Sequence, residues 1–446
     1  MPQGSVKETL SKMDPLDVWR ILKSAGVKYV KPILIDIHGR PRAELMPIDA
    51  AKDILTDGMP FDGSSIQAYA TVNKSDFVAL PDFRSMFIES WNSSKIVDVF
   101  LSVLDDSGKP NVLDPRNVLM QTLEELAAED TYVKMGVEVE FFIIKENGGK
   151  PELVDDGLYF EGRNNSMLLN PISKILENLE ALGIGWSKVH HEVAPSQYEI
   201  NIPVNDPLKI ADMIVVYKLM ARDVASEFNL VSTFMPKPFW GINGSGAHTH
   251  ISIWRDGVNL FQSNTEEVTE QCRYAIGGIL KFAKAISVLV APTVNSYKRL
   301  VPHHEAPTRI VWGYANRSAM IRIPYYNRRV NRIEYRHPDP SMNPYLAFTA
   351  MIKAAIYGIK NKIEPPAPIT DIAYDLKGVA ETPVNLGEAV EEFAKSEAFS
   401  FLPSETAKAY VNVKNQEWSE YLSVYNWKET WNVITPWEYE RYLKAA

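Results

Sequence analysis

A single cysteine, Cys272, occurs in 446 residues. That excludes an intrachain disulfide and any zinc site built from cysteine thiolates. No apolar run reaches the roughly 18 residues of a membrane span; the nearest candidate, residues 279–294, is broken by Lys281 and Lys284. No apolar signal core precedes Asp14. Excess positive charge is missing too: 47 Lys+Arg stand against 56 Asp+Glu, a net charge of −9, which argues against nucleic-acid binding. No Gly-x-x-x-x-Gly-Lys-Ser/Thr loop is present, so the P-loop mode of holding a nucleotide is excluded. These absences predict a cytoplasmic protein with no membrane and no nucleic-acid partner.

What is there is an ordinary globular balance, 46% hydrophobic and 23% charged, over a length that suits two or three domains. The distribution is sharper than the totals. Seven of the eight histidines lie between His190 and His337, together with Arg299, Arg317, Arg322, Arg328, Arg329, Arg332 and Arg336. Packing alone gives no reason to concentrate imidazole and guanidinium in one third of a chain. Anion and metal chemistry does.

Asp14-Pro15 opens a helix over 15–25, followed by Gly26. Residues 30–37 and 41–46 read as two strands joined by the His38-Gly39-Arg40 turn, and 97–104 as another. The polar stretch 105–111 sets a domain boundary, giving a small strand-rich domain, 1–105, and a larger mixed one, 106–446. Asn170-Pro171, Asp206-Pro207 and Asn343-Pro344 each pair a capping side chain with a first-turn proline and open three helices. Between them, 135–143, 248–254 and 332–336 alternate as strands. The fold class is α+β, without internal repeats.

On a strand, alternate side chains share a face. Glu138 and Glu140 therefore point together while Val137, Val139 and Phe141 point away. Two such carboxylates repel unless a cation neutralises them or one is protonated; an exposed polar face is the plainer alternative. Residues 190–199 add Glu192 and Glu199, and the Gly-rich loop 241–247 runs into His248 and His250. Arg332, Glu334 and Arg336 share another face, either as an ion-pair ladder or as a metal ligand beside anion-binding arginines. Upstream, Arg317 and Arg322 add guanidinium groups suited to phosphate. Five glutamates and His248 form an oxygen-rich set that favours two hard cations, Mg²⁺ or Mn²⁺, over structural zinc. Paired metals, arginines and a Gly-rich loop suit phosphoryl transfer from a nucleotide. The residues by themselves stop at a two-metal, ATP-dependent enzyme with an anionic substrate.

At these residues, and over nearly the whole chain, the sequence resembles glutamine synthetase of the bacterial and archaeal type, in its shorter alpha-like subclass. Residues 61–66 (FDGSSI) are similar to that family's latch, 136–142 and 190–199 to its acidic metal segments, and 236–238 with 243–250 to its signature loop. Residues 295–307 are similar to its flap; 316–324, 332–340 and the closing 437–443 complete the set in order. The resemblance implies a β-grasp N-terminal domain, a larger α/β catalytic domain, and a dodecamer of two hexameric rings whose active sites lie between subunits. Asp62 would then act in a neighbour's site. It implies one metal on Glu140, Glu192 and Glu199, and another on Glu138, His248 and Glu334. Arg299 would clamp the α-carboxylate of glutamate, Asn243 and Gly244 would stand by its amino group, and Arg336 would face its γ-carboxylate. Arg317 would stabilise the phosphoryl group in transfer, with Arg322, Arg332, His250 and Ser252 at the nucleotide. Glu305 would shield the acyl phosphate, and Tyr159 would line the ammonium pocket.

The chain departs from that pattern at several points. His303-His304 stands where the flap has Gly-Tyr, Ser196-Gln197 where Gly-Gln is usual, and Ala247 where Met is usual. Thr71 replaces an Arg tied to feedback inhibition, the stretch after Phe160 is altered, and the segment around 374–386 is compact, without the insertion of adenylylated relatives. Three readings follow: glutamine synthetase; a glutamate–amine ligase taking a polyamine, methylamine or ethanolamine; and an inactive structural relative, which the intact acidic and arginine positions oppose. A small nitrogen-signalling protein is a further possible partner.

Overall fold

The computed structural model describes residues 13–162, 166–324 and 329–445; Arg328 lies outside them. The first sheet has six strands: β1 (Tyr29–Ile35), β2 (Pro41–Ala43), β3 (Met46–Pro47), β4 (Met59–Asp62), β5 (Asp76–Ile88) and β6 (Ile96–Val103). Its order is β2-β1-β6-β5-β4, with β3 also on β1. β1 and β6 run parallel at the centre, and the β1–β2 hairpin pairs Ile33 with Ala43. The expected second strand, 41–46, is split into two short pieces, both antiparallel to β1.

The helix Pro15–Ser24 begins where expected, because the Asp14 carboxylate accepts the Leu16 N–H at 2.9 Å. Val18 and Leu22 pack with Leu55, Val30, Leu34, Val97 and Val99 into a core of their own.

The second sheet comprises β7 (Thr131–Asn147), β8 (Lys150–Leu153), β9 (Val189–His191), β10 (Gln197–Asn205), β11 (Val231–Thr233), β12 (Ala247–Arg255), β13 (Val258–Asn259), β14 (Trp312–Tyr314), β15 (Ile321–Ile323) and β16 (Ile333–Tyr335). Its main path is β14-β15-β16-β12-β7-β10-β9. Val137, Val139 and Phe141 on β7 are buried in the large core, to which the helices Pro207–Glu227, Glu270–Val290 and Pro344–Lys360 also contribute. Asp206 and Asn343 cap two of these helices as the sequence suggests. The third expectation is corrected. The helix spans Ser166–Ala181, with Pro171 inside it rather than at its start. A proline there forfeits one main-chain hydrogen bond; burial of Ile172, Ile175 and Leu179 outweighs that loss.

A buried ion network ties the two sheets' layers together. Arg116, fully buried, donates to Asp82 (2.8 Å) on β5, to Asp212 (2.9 and 3.0 Å) on the helix Pro207–Glu227, and to Ser85 (3.0 Å). The Tyr345 hydroxyl closes it on Asp212 at 2.6 Å. Despite burial, Arg84 and Arg116 hold the Asp82 carboxyl down at about 2.

Candidate active site

Six neighbouring strands carry the polar row. The Cα register pairs Arg322 (β15) with Glu334 (β16), Glu334 with His250 (β12), His248 with Glu138 (β7), Glu140 with Glu199 (β10), and Glu199 with His190 (β9). Residues far apart in sequence thus stand side by side because period-2 alternation puts each on the same sheet face.

Two groups of ligand atoms gather there, each within 4.8 Å: Glu138, His248 and Glu334; and His190, Glu192 and Glu199. In the first, His248 Nδ1 is 3.8 Å from both Glu138 Oε2 and Glu334 Oε1. Two ligands around one ion at about 2.1 Å stand ~3–4 Å apart, so the spacing fits a cation. Arg336 Nη1 donates to His248 Nδ1 at 3.2 Å. Burial first, then Arg336, pushes His248 far below its ordinary pKa, leaving a neutral imidazole able to ligate.

In the second group, His190 Nε2 is 2.9 Å from Glu192 Oε1. His190 Nδ1 and Glu199 Oε1 are buried without a hydrogen-bond partner among the described residues. Burial, then the Glu138, Glu140 and Glu192 carboxylates, raises Glu199 to about 9. Glu140 stands between the groups. Its Oε2 accepts the Gly246 N–H at 2.7 Å, and its Oε1 is 3.6 Å from His248 Nε2. Burial, then Glu192, raises it to about 8. Orphaned ligand atoms and mutually repelling buried carboxylates are what a bound cation would relieve. The donor set fits a hard divalent ion.

The cationic side is built around Glu334. Arg322 reaches one oxygen (2.5 Å) and Arg336 the other (2.6 Å). Against burial, the Arg336 and Arg322 guanidinium groups hold Glu334 down at about 2. Arg299, also buried, is pinned by the carbonyls of His337 (2.8 Å) and Arg336 (3.1 Å). A Cβ on Gly246 would lie 2.8 Å from Arg299 Nη2 and 2.6 Å from His248 Nε2, so only glycine lets the loop pass between them. Arg317 is exposed at the rim; burial disfavours its charge, but Tyr159, Glu334, Glu305 and Glu138 surround it and raise its pKa.

The remaining residues divide. His250 Nε2 is 3.0 Å from Glu138 Oε1, and Arg332 Nε is 3.3 Å from His250 Nδ1. Ser252 follows on the same face of β12, bonded to Trp254 Nε1 at 3.0 Å. Tyr159 stacks on Phe160, and both rings stand edge-on to His190. Glu305 is exposed, and its carbonyl accepts from Arg336 at 3.4 Å. Asn243 Oδ1 meets His304 Nδ1 at 3.3 Å. The Gly244 carbonyl accepts from Gln197 Nε2 at 3.0 Å.

Asp62 is not brought to this row. It ends β4 on the other sheet, exposed, where Ser64 N–H, Ser64 Oγ and Ser65 Oγ donate to it at 2.8, 2.6 and 2.8 Å and lower its pKa.

Two residues escape the sequence reading: His190, which joins Glu192 and Glu199, and Gln197, which bridges Gly244 and Ser245. The signal for His190 is its alternation with Glu192; for Gln197 there is none beyond position.

The fold and site define a two-domain α+β enzyme whose sheet face sets paired carboxylate–imidazole groups against buried arginines. Family models agree in detail: the glutamine synthetase β-grasp domain matches residues 26–106 and the glutamine synthetase catalytic domain residues 112–442. The chain belongs to the glutamine synthetase family. Glutamine synthetase of Pyrococcus horikoshii is 40% identical over 94% of this chain and 96% of its own, and that of Thermotoga maritima 37% over 95% and 98%. A solved structure titled as a GmaS/ADP complex superposes with a TM-score of 0.85 at 30% identity, covering 94% of this chain and all of that one; an apo GmaS structure gives 0.84. The protein is therefore an ATP-dependent carbon–nitrogen ligase of a family that makes glutamine and uses a divalent metal. Among the described residues no helix is long and apolar enough to cross a membrane.

Proposed function

We propose that this chain joins ammonia to the γ-carboxylate of glutamate, by way of γ-glutamyl phosphate, with release of ADP and phosphate. The observation that carries the reading is the clustering of Glu138, His248 and Glu334, and of His190, Glu192 and Glu199, with Glu140 between them and Arg322 and Arg336 on Glu334. A divalent cation bound there, Mg²⁺ or Mn²⁺, would neutralise phosphate charge and orient the transferring group. We place Glu140, Glu192 and Glu199 at one ion, with His190 added, and Glu138, His248 and Glu334 at the other.

A carboxylate is a poor electrophile, so ATP must first activate it. Arg317 is the long, flexible cation at the rim, suited to the phosphoryl group in transfer. Arg322, Arg332, His250 and Ser252 take the nucleotide side. Arg299, already fixed by two carbonyls, clamps the α-carboxylate; Asn243 and Gly244 receive the amino group, and Arg336 the γ-carboxylate. Glu305 covers the acyl phosphate against water. The nucleophile must be a neutral amine. Tyr159 beside Glu192 lines its pocket, and Asp62 of a neighbouring subunit takes its proton. The exposed Asp62, on another sheet than its own chain's row, supports sites shared between subunits; the dodecamer of two hexameric rings is what the family resemblance implies. The domain division at 105/106 lies between β6 and the helix Pro115–Ala127.

The altered flap bears on the choice of amine. His304 turns to Asn243, the end of the site assigned to glutamate, and not to Tyr159. On this reading His304 bears on the glutamate end of the site rather than on the amine pocket, while His303 packs edge-on to Tyr374. The test is phosphate release with ATP, Mg²⁺ and glutamate, adding ammonium, methylamine, ethanolamine or a polyamine, with product masses read by spectrometry. Glutamine formed at low millimolar ammonium is the expected outcome. A γ-glutamyl amide formed while ammonium is nearly inert would replace this reading with the amine ligase.

A further inference from the structure

The turn between Glu192 and Glu199 holds Ser196, fully buried, at φ +63°. That left-handed conformation suits glycine and strains a residue with a Cβ. The side chain supplies a compensating tie. Ser196 Oγ accepts the N–H groups of Val154 and Asp155 at 2.8 and 3.1 Å, while Ser196 N–H donates to Asp155 Oδ1 at 2.6 Å. Two segments more than forty positions apart are thereby locked together.

Asp155 extends the lock. Its carboxylate accepts the Gly157 N–H at 3.1 Å and lies 3.2 and 3.3 Å from His191 Nε2. The imidazole rests against Gly157, where a Cβ would come within 2.4 Å of Nε2, and edge-on to Tyr198. With Nε2 engaged and the ring packed on both sides, His191 Nδ1–H donates to the Glu192 carbonyl at 2.7 Å. From the other side, Glu192 N–H donates to the Gln197 carbonyl at 2.8 Å. Both main-chain groups of Glu192 are therefore held.

Glu192 needs such a hold. Its carboxylate is packed near those of Glu140 and Glu199, which repel it, and the next residue, Val193, is exposed. An untethered turn would swing Glu192 toward water. We propose that Asp155 and His191, locked in place by Ser196, are positioning residues for Glu192, fixing its carboxylate between His190 and Glu199 for a divalent cation. This rests on reading those residues as metal ligands. It assigns a role to Ser196, one of the positions where the chain departs from its family's glycine: the hydroxyl makes a bond that glycine cannot.

The test uses Mn²⁺ alone, titrated into the full chain and followed by loss of the free-ion electron paramagnetic resonance signal, with melting temperature measured alongside. Glu192→Gln should weaken one class of Mn²⁺ site. His191→Phe keeps the ring packing and removes the donor; Asp155→Ala removes the anchor. Each should weaken the same class about 10–100-fold, His191→Phe with little change in melting temperature and Asp155→Ala with a lower one, because it also strips the Ser196 and Gly157 N–H groups of their acceptor. Asp155→Asn should restore tight binding, since its amide can donate to Nε2 while Nδ1–H still serves Glu192. Wild-type affinity in His191→Phe and Asp155→Ala, with Glu192→Gln weakened, overturns the positioning role and leaves the metal reading standing. Wild-type affinity in Glu192→Gln overturns the metal reading itself. Failure of Asp155→Asn to restore binding overturns the geometric form of the proposal. If His191→Phe does not fold, the Asp155→Ala and Asp155→Asn comparison decides alone.

Discussion

Glu140 and Glu199 stand directly opposite each other on β7 and β10, a pair of buried carboxyl groups in register. Burial and neighbouring carboxylates raise both pKa values, to about 8 and about 9, which favours protonated carboxyls in the metal-free chain. Metal binding must expel those protons. Calorimetric titration of Mn²⁺ at pH 7 in buffers of different ionisation enthalpy should show net proton release. The sign for stability follows. A carboxyl raised in the folded state favours folding at low pH and loses that contribution as pH climbs through its folded value. Metal-free protein should thus lose stability toward pH 9, and saturating metal should reverse the trend, by about 2.7 kcal/mol at a hundredfold excess over Kd. Absence of proton release would reject a cation between these carboxylates.

Arg317 lies in the turn between β14 and β15 of the second sheet, and Asp62 ends β4 of the first; the proposed site needs them to meet across a subunit boundary. Arg317→Ala should lower turnover by about 10³-fold or more, with folding unchanged because the side chain is exposed. Asp62→Ala should be similarly impaired. Dissociated and reassembled mixtures of the two variants should regain activity that neither has alone. No recovery in a demonstrably mixed oligomer would place both residues in one subunit's site, or remove Asp62 from it.

His304 is biased toward its neutral form: burial, then Lys237 and His303, lower its pKa. Its bond to Asn243 Oδ1 orients that amide for glutamate. His304→Ala should raise KM for glutamate several-fold, with little effect on KM for ammonium. A changed preference among amines, with glutamate KM unmoved, would contradict the assignment and favour the larger-amine reading. The preceding His303, at φ +64°, tests the flap's backbone. His303→Gly should relieve local strain by about 1 kcal/mol, read by melting temperature.

In the N-terminal sheet, Asp98 is buried beside Glu89 and Lys31, and burial raises its pKa to about 8 despite the lysine. Its contribution to stability is present below its unfolded value near 4 and is lost as pH rises toward 8. Asp98→Asn should remove this fall, so the wild-type and variant chemical-denaturation curves should diverge most between pH 5 and about 8. Parallel profiles would show that Asp98 is already ionised in the folded chain.

Local rules read the helix starts well and long-range ones poorly. The Asp14, Asp206 and Asn343 caps begin helices as their sequence predicts, since a capping carboxylate or amide acts within three residues. Pro171 defeats the same rule: its place inside a helix depends on the apolar face that follows, which packs against distant chain. Likewise 41–46 alternates as one strand, but its pairing with β1 is interrupted after Ala43. The glycine usual at position 196 points to its left-handed conformation, but nothing nearby signals the tie of Ser196 to Asp155, forty-one positions earlier.

By itself the amino-acid order determined which side chains share a face, because strand alternation has period 2 and needs no partner: Glu138 with Glu140, His248 with His250, Arg332 with Glu334 and Arg336. It also determined, through motif order, the family. Tertiary structure alone decided which of these faces meet. The strand order β16-β12-β7-β10-β9 sets Glu334 and Glu138 around His248, and Glu199 beside His190. That order is a matter of long-range pairing and of the core beneath it, where Val137, Val139 and Phe141 are buried. The same packing leaves Asp62 on another sheet, apart from the row in its own chain's topology.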